Sequence, residues 1–362
     1  MARRPTWGLV MIVKDGLKDD LRSCLTSLRP VVGWWTVVDT GSTDGSQDVV
    51  REIMAGVPGE LWDEPFENFG SARSRAFAHA HDHADWLFAT DADMTWTVEP
   101  GYVPDPANDA YLVEMGNGGP FRWKLPLILK GTVAWKSVGA VHEYTARADD
   151  SGYVTGDAHP HVTITYPERP DAAKPLWQLS MLDEEYAKDP DNPRTVFYRA
   201  QCLREVGRYA ESREMYLKRA TQGGYDSEVY YANFQAATLI AEWPERFVEL
   251  LKVWEYRPHR LEALAMICRD LNARDQHRTV WALTAGLIRE DGTIAPTTDV
   301  GFVHYNCWDW NIPFERSIAA WYVGEFTEGR RLCERLLADP ALPPDMRTQV
   351  EANLALFPPE VA

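Results

Sequence analysis

The pattern of apolar and polar positions divides the 362-residue chain into three textures. "WGLVMIV", residues 7 to 13, is an unbroken apolar run, as in a strand buried on both faces. Leu17, Leu21, Leu25 and Leu28 then recur at helical spacing. "WWTVVDTG" reads as a second strand. Ser42, Thr43 and Asp44 are good caps for a helix through "SQDVVREIMAG", closed by Gly56. "GELWDEP" reads as a short third strand, "GSARSRAFAHAHDHA" as a helix and "DWLFATDAD" as a fourth strand. This alternation predicts an α/β fold with a mostly parallel, doubly wound sheet.

From about residue 100 the texture changes. "DAYLVEM", "RWKLPLIL", "TVAWKSVGAVHEYT" and "HVTITY" read as short strands between Gly, Pro and Asn turns. "YPERPDAAKPL" has no clear period and reads as a linker. Beyond it the pattern is helical and repeats. "FYRAQCLREVGRYAESREMYLKRA" is echoed about 34 residues later by "YYANFQAATLIAEWPERFVELLKVWEY", and "AAWYVGEFTEGRRLCERLLADP" ends the series. Helix pairs with a Gly-aromatic turn at this period predict an all-α domain of tetratricopeptide-like repeats, a plain helical bundle being the alternative. The expected domains are residues 1–168 and 169–362.

Charge narrows the function. A formal net charge of −17 argues against a protein that grips nucleic acid mainly through phosphates. The five cysteines show no CxxC spacing, so neither a zinc framework nor a disulfide scaffold is expected, and a cytoplasmic setting is the natural reading. The first apolar run is short and followed by Lys14 and Asp15, which fits a strand better than a signal peptide. No stretch reaches the length of a membrane span.

Two strands end in aspartate at the edge where open α/β sheets bind ligands: "TVVDTG" in Asp39 and "WLFATDADM" in Asp91 and Asp93. One strand-end aspartate is usually a turn residue. Residues two apart on a strand point the same way, so Asp91 and Asp93 would converge, repel each other and favour a cation. Hard oxygen ligands suit Mg²⁺ or Mn²⁺ and leave positions for phosphate.

"LVMIVKDGLKDDLRSCLTSLRP", "VVDTGSTDGSQDVV", "ENFGSARSRAFAHA", "DWLFATDADM" and "WKSVGAVHEYT" stand in the order found in family 2 glycosyltransferases. The chain resembles the bacterial and phage subgroup that carries tetratricopeptide-like repeats after the catalytic domain. That resemblance implies a GT-A fold, a divalent metal (Mn²⁺ or Mg²⁺), a nucleotide-sugar donor such as a UDP-sugar, and inversion at the sugar. It implies that Asp39 meets the base or ribose, that the backbone at Gly41 and Ser42 lies close to the donor, and that Asp91 and Asp93 form the D-x-D motif. Asp93 would be the direct metal ligand, with Asp91 nearer the ribose or metal. Arg73 would bind the diphosphate. Ser74 stands where the family usually has Asn, and Lys14 and Asp15 stand where it often has Lys-Asn-Glu, which would put Lys14 among the donor-binding residues. In "GAVHEY", His142 could ligate the metal and Glu143 could be the general base, with one of the two facing the cleft if the segment is extended.

Other features read as structure. His79, His81 and His83 in "HAHDH" fit a solvated helix end better than a zinc site. Trp123, Lys124 and Trp135 lie where the resembled family meets its acceptor, with sheet packing an equal reading. "VHYNCWDWNIPFERS" fits packing in the helical half. The acceptor is open between glycan, protein, lipid and a hydroxymethylated base of phage DNA. For DNA, Arg73, Arg75, Arg122, Lys124, Lys130 and Lys136 would have to form a basic rim. A repeat scaffold with a degenerate transferase domain is the non-enzymatic alternative, and the helical half could support a homo-oligomer.

Overall fold

The computed structural model describes residues 5–117, 121–167, 173–299 and 301–358. The chain divides into two compact units, Met1–Arg208 and Tyr209–Ala362. The expected boundary at 168/169, and residues 168–172 of the expected linker, lie outside the described residues. The first unit runs on past them to take in a pair of helices.

In that unit the strands are β1 (Trp7–Val13), β2 (Trp34–Asp39), β3 (Gly59–Asp63), β4 (Trp86–Thr90), β5 (Thr95–Val98), β6 (Ala110–Met115), β7 (Phe121–Lys130), β8 (Trp135–Val138), β9 (Tyr144–Arg147), β10 (Thr155–Asp157) and β11 (Val162–Thr165). The helices are α1 (Leu21–Leu28), α2 (Ser46–Ile53), α3 (Phe69–Ala80), α4 (Lys174–Lys188) and α5 (Pro193–Glu205). The main sheet has the order β10-β6-β7-β4-β1-β2-β3. Strands β4, β1, β2 and β3 are parallel, and β7 is antiparallel to both β4 and β6. Strands β5 and β11 form one small ribbon and β8 and β9 another.

Side chains of β1 alternate between two layers. Leu9, Met11 and Val13 pack with Leu21, Cys24, Leu25, Leu28, Val49 and Val50, so α1 and α2 cover one face. Val10 and Ile12 pack with Ala72, Ala76, Phe77 and Ala80 of α3 on the other. Burial on both faces is why β1 reads as an unbroken apolar run. The alanines of α3, spaced by four, let it lie close to the sheet.

Two helices are shorter than the periodicity suggests. Leu17 lies in a 3₁₀ turn, Gly16–Asp19, and is exposed; α1 starts only after Asp20, whose φ of +70° breaks the helix. Likewise α3 ends at Ala80, before Asp82 at φ +64°. His79 and His83 therefore do not share a helix face. His79 stacks on Trp62 and bonds Glu64, whereas His83 stacks on Trp34.

The second unit is helical: α6 (Tyr209–Thr221), α7 (Asp226–Thr238), α8 (Trp243–Tyr256), α9 (Glu262–Asn272), α10 (His277–Leu283), α11 (Ile312–Val323), α12 (Phe326–Ala338) and α13 (Pro344–Leu354). Helices α6 and α8 start at Tyr209 and Trp243, matching the period in the sequence. Arg260 is fully buried here; it pairs with Glu262 (2.7 Å) and Asp299 (3.1 Å) and donates to the Gly301 and Phe302 carbonyls. A buried guanidinium is tolerated only with its donors satisfied in this way. Trp308 and Trp310 of the aromatic stretch are buried, and Trp310 Nε1 donates to Asp339 (3.1 Å).

Candidate active site

Three loops leave the carboxyl edge of the sheet around β1. Parallel register sets Val13 beside Asp39 and Met11 beside Thr90, so Lys14, Thr40 and Asp91 emerge close together. The connection from β1 leads toward β2, whereas β4 joins on the other side, so this edge is the switch point of the sheet.

The loops after β1 and β2 brace each other. Asp15, at φ +49°, donates its N–H to Ser42 Oγ (2.8 Å) and accepts from Thr43 N–H (2.8 Å). Gly16 N–H donates to Ser46 Oγ (2.8 Å) and Leu17 N–H to Asp44 (2.9 Å). Thus Ser42 is a cross-brace rather than a helix cap. Gly45 precedes α2, and Asp44 accepts from Ser46 N–H (2.9 Å). Lys14 is exposed.

Asp39 is completely buried. Its Oδ1 accepts from the Gly41 and Ser42 amides (2.8 and 2.7 Å), which pins the loop. Gly41 takes φ +102°, a conformation that suits glycine, with open space where a Cβ would stand. Asp39 Oδ2 is sealed from solvent without a hydrogen-bond partner. Such an orphan costs about 1–3 kcal/mol, more for a charged group, and is a feature that a ligand donor would relieve.

Asp91 and Asp93 lie just past β4, in a turn closed by Met94 N–H on the Asp91 carbonyl (3.2 Å). Strand alternation therefore does not set their directions; the turn does. Both are half-buried. Burial pushes the Cys24 thiol up to about 12, and the charges of Asp91 and Asp93 add to this, so both carboxylates lie within electrostatic reach of one sulfur.

Arg73 joins two of the expected site residues. Its Nη2 reaches Asp91 (2.7 Å) and its Nε reaches Glu143 (2.8 Å), with Arg73 and Glu143 both 14% exposed. Burial works against the Arg73 charge, but the two carboxylates hold its pKa above the ordinary value. The segment feeding it is built tightly. Asn68 caps α3 by accepting from Ser71 N–H (2.8 Å). A Cβ on Gly70 would meet the Gly139 carbonyl at 2.4 Å, so only glycine fits there. Ser74 accepts from Ser137 N–H (2.9 Å) and donates to its carbonyl (3.1 Å), fastening α3 to β8.

Residues 139–143 of "GAVHEY" form a loop between β8 and β9 rather than a strand, and Tyr144 opens β9. His142 has φ +52°. Its ring lies on Tyr198 of α5 (4.3 Å, 7°). Although the residue is exposed overall, the ring has lost water on its stacked face. That loss comes first, and nearby Arg194 and Lys174 add to it, lowering the pKa to about 4. An unfolded histidine titrates near 6.5. Between these values the unfolded chain binds the extra proton, so stability falls as pH drops through that window and is fully present above it. Solvent at the ring edge limits the expected loss to about 1 kcal/mol. Urea unfolding at about pH 7 and about pH 4.5 should show it, and His142→Asn should flatten the slope. An unchanged slope in that variant would remove His142 as the cause.

The donor set fits a divalent cation in part. Asp91 and Asp93 offer hard oxygens, and ions such as Mg²⁺ take one or two carboxylates plus substrate phosphates. His142 does not join them, because its ring is stacked on Tyr198 of α5. Among the described residues no group of three or more His, Cys, Asp or Glu is gathered to hold an ion. The expected basic rim is not assembled either. Arg75, Arg122, Lys124 and Lys136 pair with Glu64, Glu114, Asp157 and Asp150, and Lys130 donates to the Pro106 carbonyl. Trp135 is buried and donates to the Lys130 carbonyl (2.9 Å), while Trp123 packs against the core.

No protein-family model matches the chain, and neither does any curated protein. Among solved structures it is similar to the S. aureus TarS 1-349 fragment at 12% identity and a TM-score of 0.32, over 83% of this chain and 98% of that one. The same fragment in complex with UDP-GlcNAc gives 11% and 0.29 over 82% and 98%. TTC0263, a thermophilic TPR protein of Thermus thermophilus, gives 10% and 0.31 over 51% and 100%. Similarity at this level carries neither a family nor an activity to this chain. No helix among the described residues is long and apolar enough to cross a membrane.

Proposed function

We propose that this chain is a metal-dependent, inverting glycosyltransferase with a GT-A catalytic unit and tetratricopeptide-like helices, moving a sugar from a nucleoside diphosphate, UDP in the first instance, to an acceptor hydroxyl. The observation that carries this reading is the convergence at one sheet edge of buried Asp39, the Asp91–Asp93 turn and the Arg73–Glu143 pair. The motif order of family 2 transferases supports the same assignment. In this reading the orphaned Asp39 Oδ2 receives the nucleobase imide or a ribose hydroxyl when the Gly41 loop gives way.

Carboxylates outnumber guanidinium groups among these residues, so an anionic diphosphate needs a further cation to approach. Asp91 and Asp93 would hold that divalent ion, which supplies electrostatic stabilisation of the departing diphosphate. Arg73 neutralises Asp91 and Glu143 and keeps them from repelling the donor. Glu143 takes the acceptor proton. The acceptor oxygen then bonds the anomeric carbon from the face opposite the diphosphate, and the C–O bond to the diphosphate breaks, its electron pair leaving with the nucleotide.

The test combines purified protein, Mn²⁺ and a panel of nucleotide sugars, and follows released nucleotide. Turnover that chelation abolishes is expected. Nucleotide binding without turnover by any donor would favour the scaffold reading. Asp39→Asn isolates one contact, because its amide oxygen can still accept from Gly41 and Ser42 while Oδ2 becomes a donor. UDP binding measured by calorimetry should weaken about 10- to 100-fold, the value of a hydrogen bond to a charged group. An unchanged affinity would move the nucleotide contact elsewhere.

A further inference from the structure

The loop that presents Glu143 is gripped from two sides. Helix α3 holds its near end: Phe69 N–H donates to the Ala140 carbonyl (3.0 Å), and Ser74 fastens Ser137. The far end meets the helix pair α4 and α5. Arg194, in the first turn of α5, donates to the His142 carbonyl from both Nε (2.9 Å) and Nη2. Its guanidinium lies between two rings, 5.0 Å from the centre of Tyr144 and 4.7 Å from that of Tyr198. Tyr198 in turn carries the His142 ring.

This grip explains a local anomaly. Gly139, at φ +114°, is a residue that accepts a positive φ freely. His142, at φ +52°, carries a side chain, and a residue other than glycine is uncommon there and is held by its surroundings. The two Arg194 bonds and the Tyr198 stack hold it. The His142 carbonyl and the Glu143 amide share one rigid peptide plane. Fixing that carbonyl therefore fixes the Glu143 N–Cα bond, and with Tyr144 held in β9 on the other side it limits the directions open to the Glu143 side chain.

We propose that Arg194 and Tyr198 are positioning residues for Glu143: they hold His142 in its left-handed conformation and so keep the Glu143 carboxylate on Arg73, beside Asp91. This rests on the transferase reading above. It makes the first helix pair part of the catalytic unit, consistent with a compact unit that ends at Arg208.

Steady-state kinetics of the full chain test it. Arg194→Ala should lower kcat about 10- to 100-fold, the range for a misplaced reacting group, with donor KM within about twofold because Asp39 and Asp93 are untouched. Arg194→Lys should recover part of the rate, since an ammonium still donates to the carbonyl. Tyr198→Phe, which keeps the stack, should recover part of the rate that Tyr198→Ala loses. In the Glu143→Gln background Arg194→Ala should cost little more, because a residue acting through Glu143 has nothing left to position. Hydrogen exchange across residues 139–144 should rise in Arg194→Ala. If that variant does not fold, Arg194→Lys and Tyr198→Ala carry the test. Full kcat in Arg194→Ala, or losses that add to those of Glu143→Gln, would overturn the role while leaving the transferase reading intact. A wild-type chain that releases nucleotide from no donor overturns that reading, and this role with it.

Discussion

Asp93→Ala is expected to lower donor turnover roughly 10³-fold, the several kcal/mol that a cation contributes to a departing diphosphate. The substitution is informative because of what it spares. Asp91 is bound to Arg73, whereas the bridge from Asp91 through Arg73 to Glu143 does not include Asp93. Asp93→Ala should therefore leave the Asp91–Arg73–Glu143 bridge in place and lose its response to added Mn²⁺. Asp91→Ala should lose activity and also destabilise the unit, since it strips one partner from a largely buried guanidinium. Nucleotide release across a Mn²⁺ titration, set beside thermal unfolding of both variants, separates these effects. Wild-type turnover in Asp93→Ala would remove the metal site from this turn.

Glu143→Gln should lower kcat by about 10²- to 10⁴-fold with little change in donor KM, as for loss of a general base. Glutamine keeps the shape, and its carbonyl can still accept from Arg73 Nε, so the loop should stay in place. What disappears is the ability to take the acceptor proton. Retained activity in a direct transfer assay would place the base on another residue. Weakened donor binding instead of slowed transfer would give Glu143 a structural role through Arg73.

Local pattern made much of the architecture legible. Strands buried on both faces leave unbroken apolar runs, and helices against a sheet leave a period near 3.6, so β1 to β4 and the helices between them could be read residue by residue. The errors came where a left-handed residue interrupts a pattern. Asp20 removed Leu17 from α1, and Asp82 separated His79 from His83. Short strands β5 and β10 had too few positions to show alternation. Ser74 looked like a departure from a motif, yet it is a double hydrogen-bonding link to β8. Nothing in the sequence announces Arg194 or Tyr198, because their partner is His142, and Arg194 and His142 stand 52 positions apart.

The sequence by itself determined the alternation of strand and helix, the acidic ends of β2 and β4, and the helical repeat. These rest on interactions between residues a few positions apart. Only the tertiary structure decided how charges and rings are shared. It gave Arg73 to Asp91, 18 positions away, and to Glu143, 70 away. It turned His142 from an expected metal ligand to a partner of Tyr198, and it joined the first helix pair to the sheet unit. An ion pair or ring stack is chosen by distance and direction among all the groups the fold brings near, and no local period records that choice.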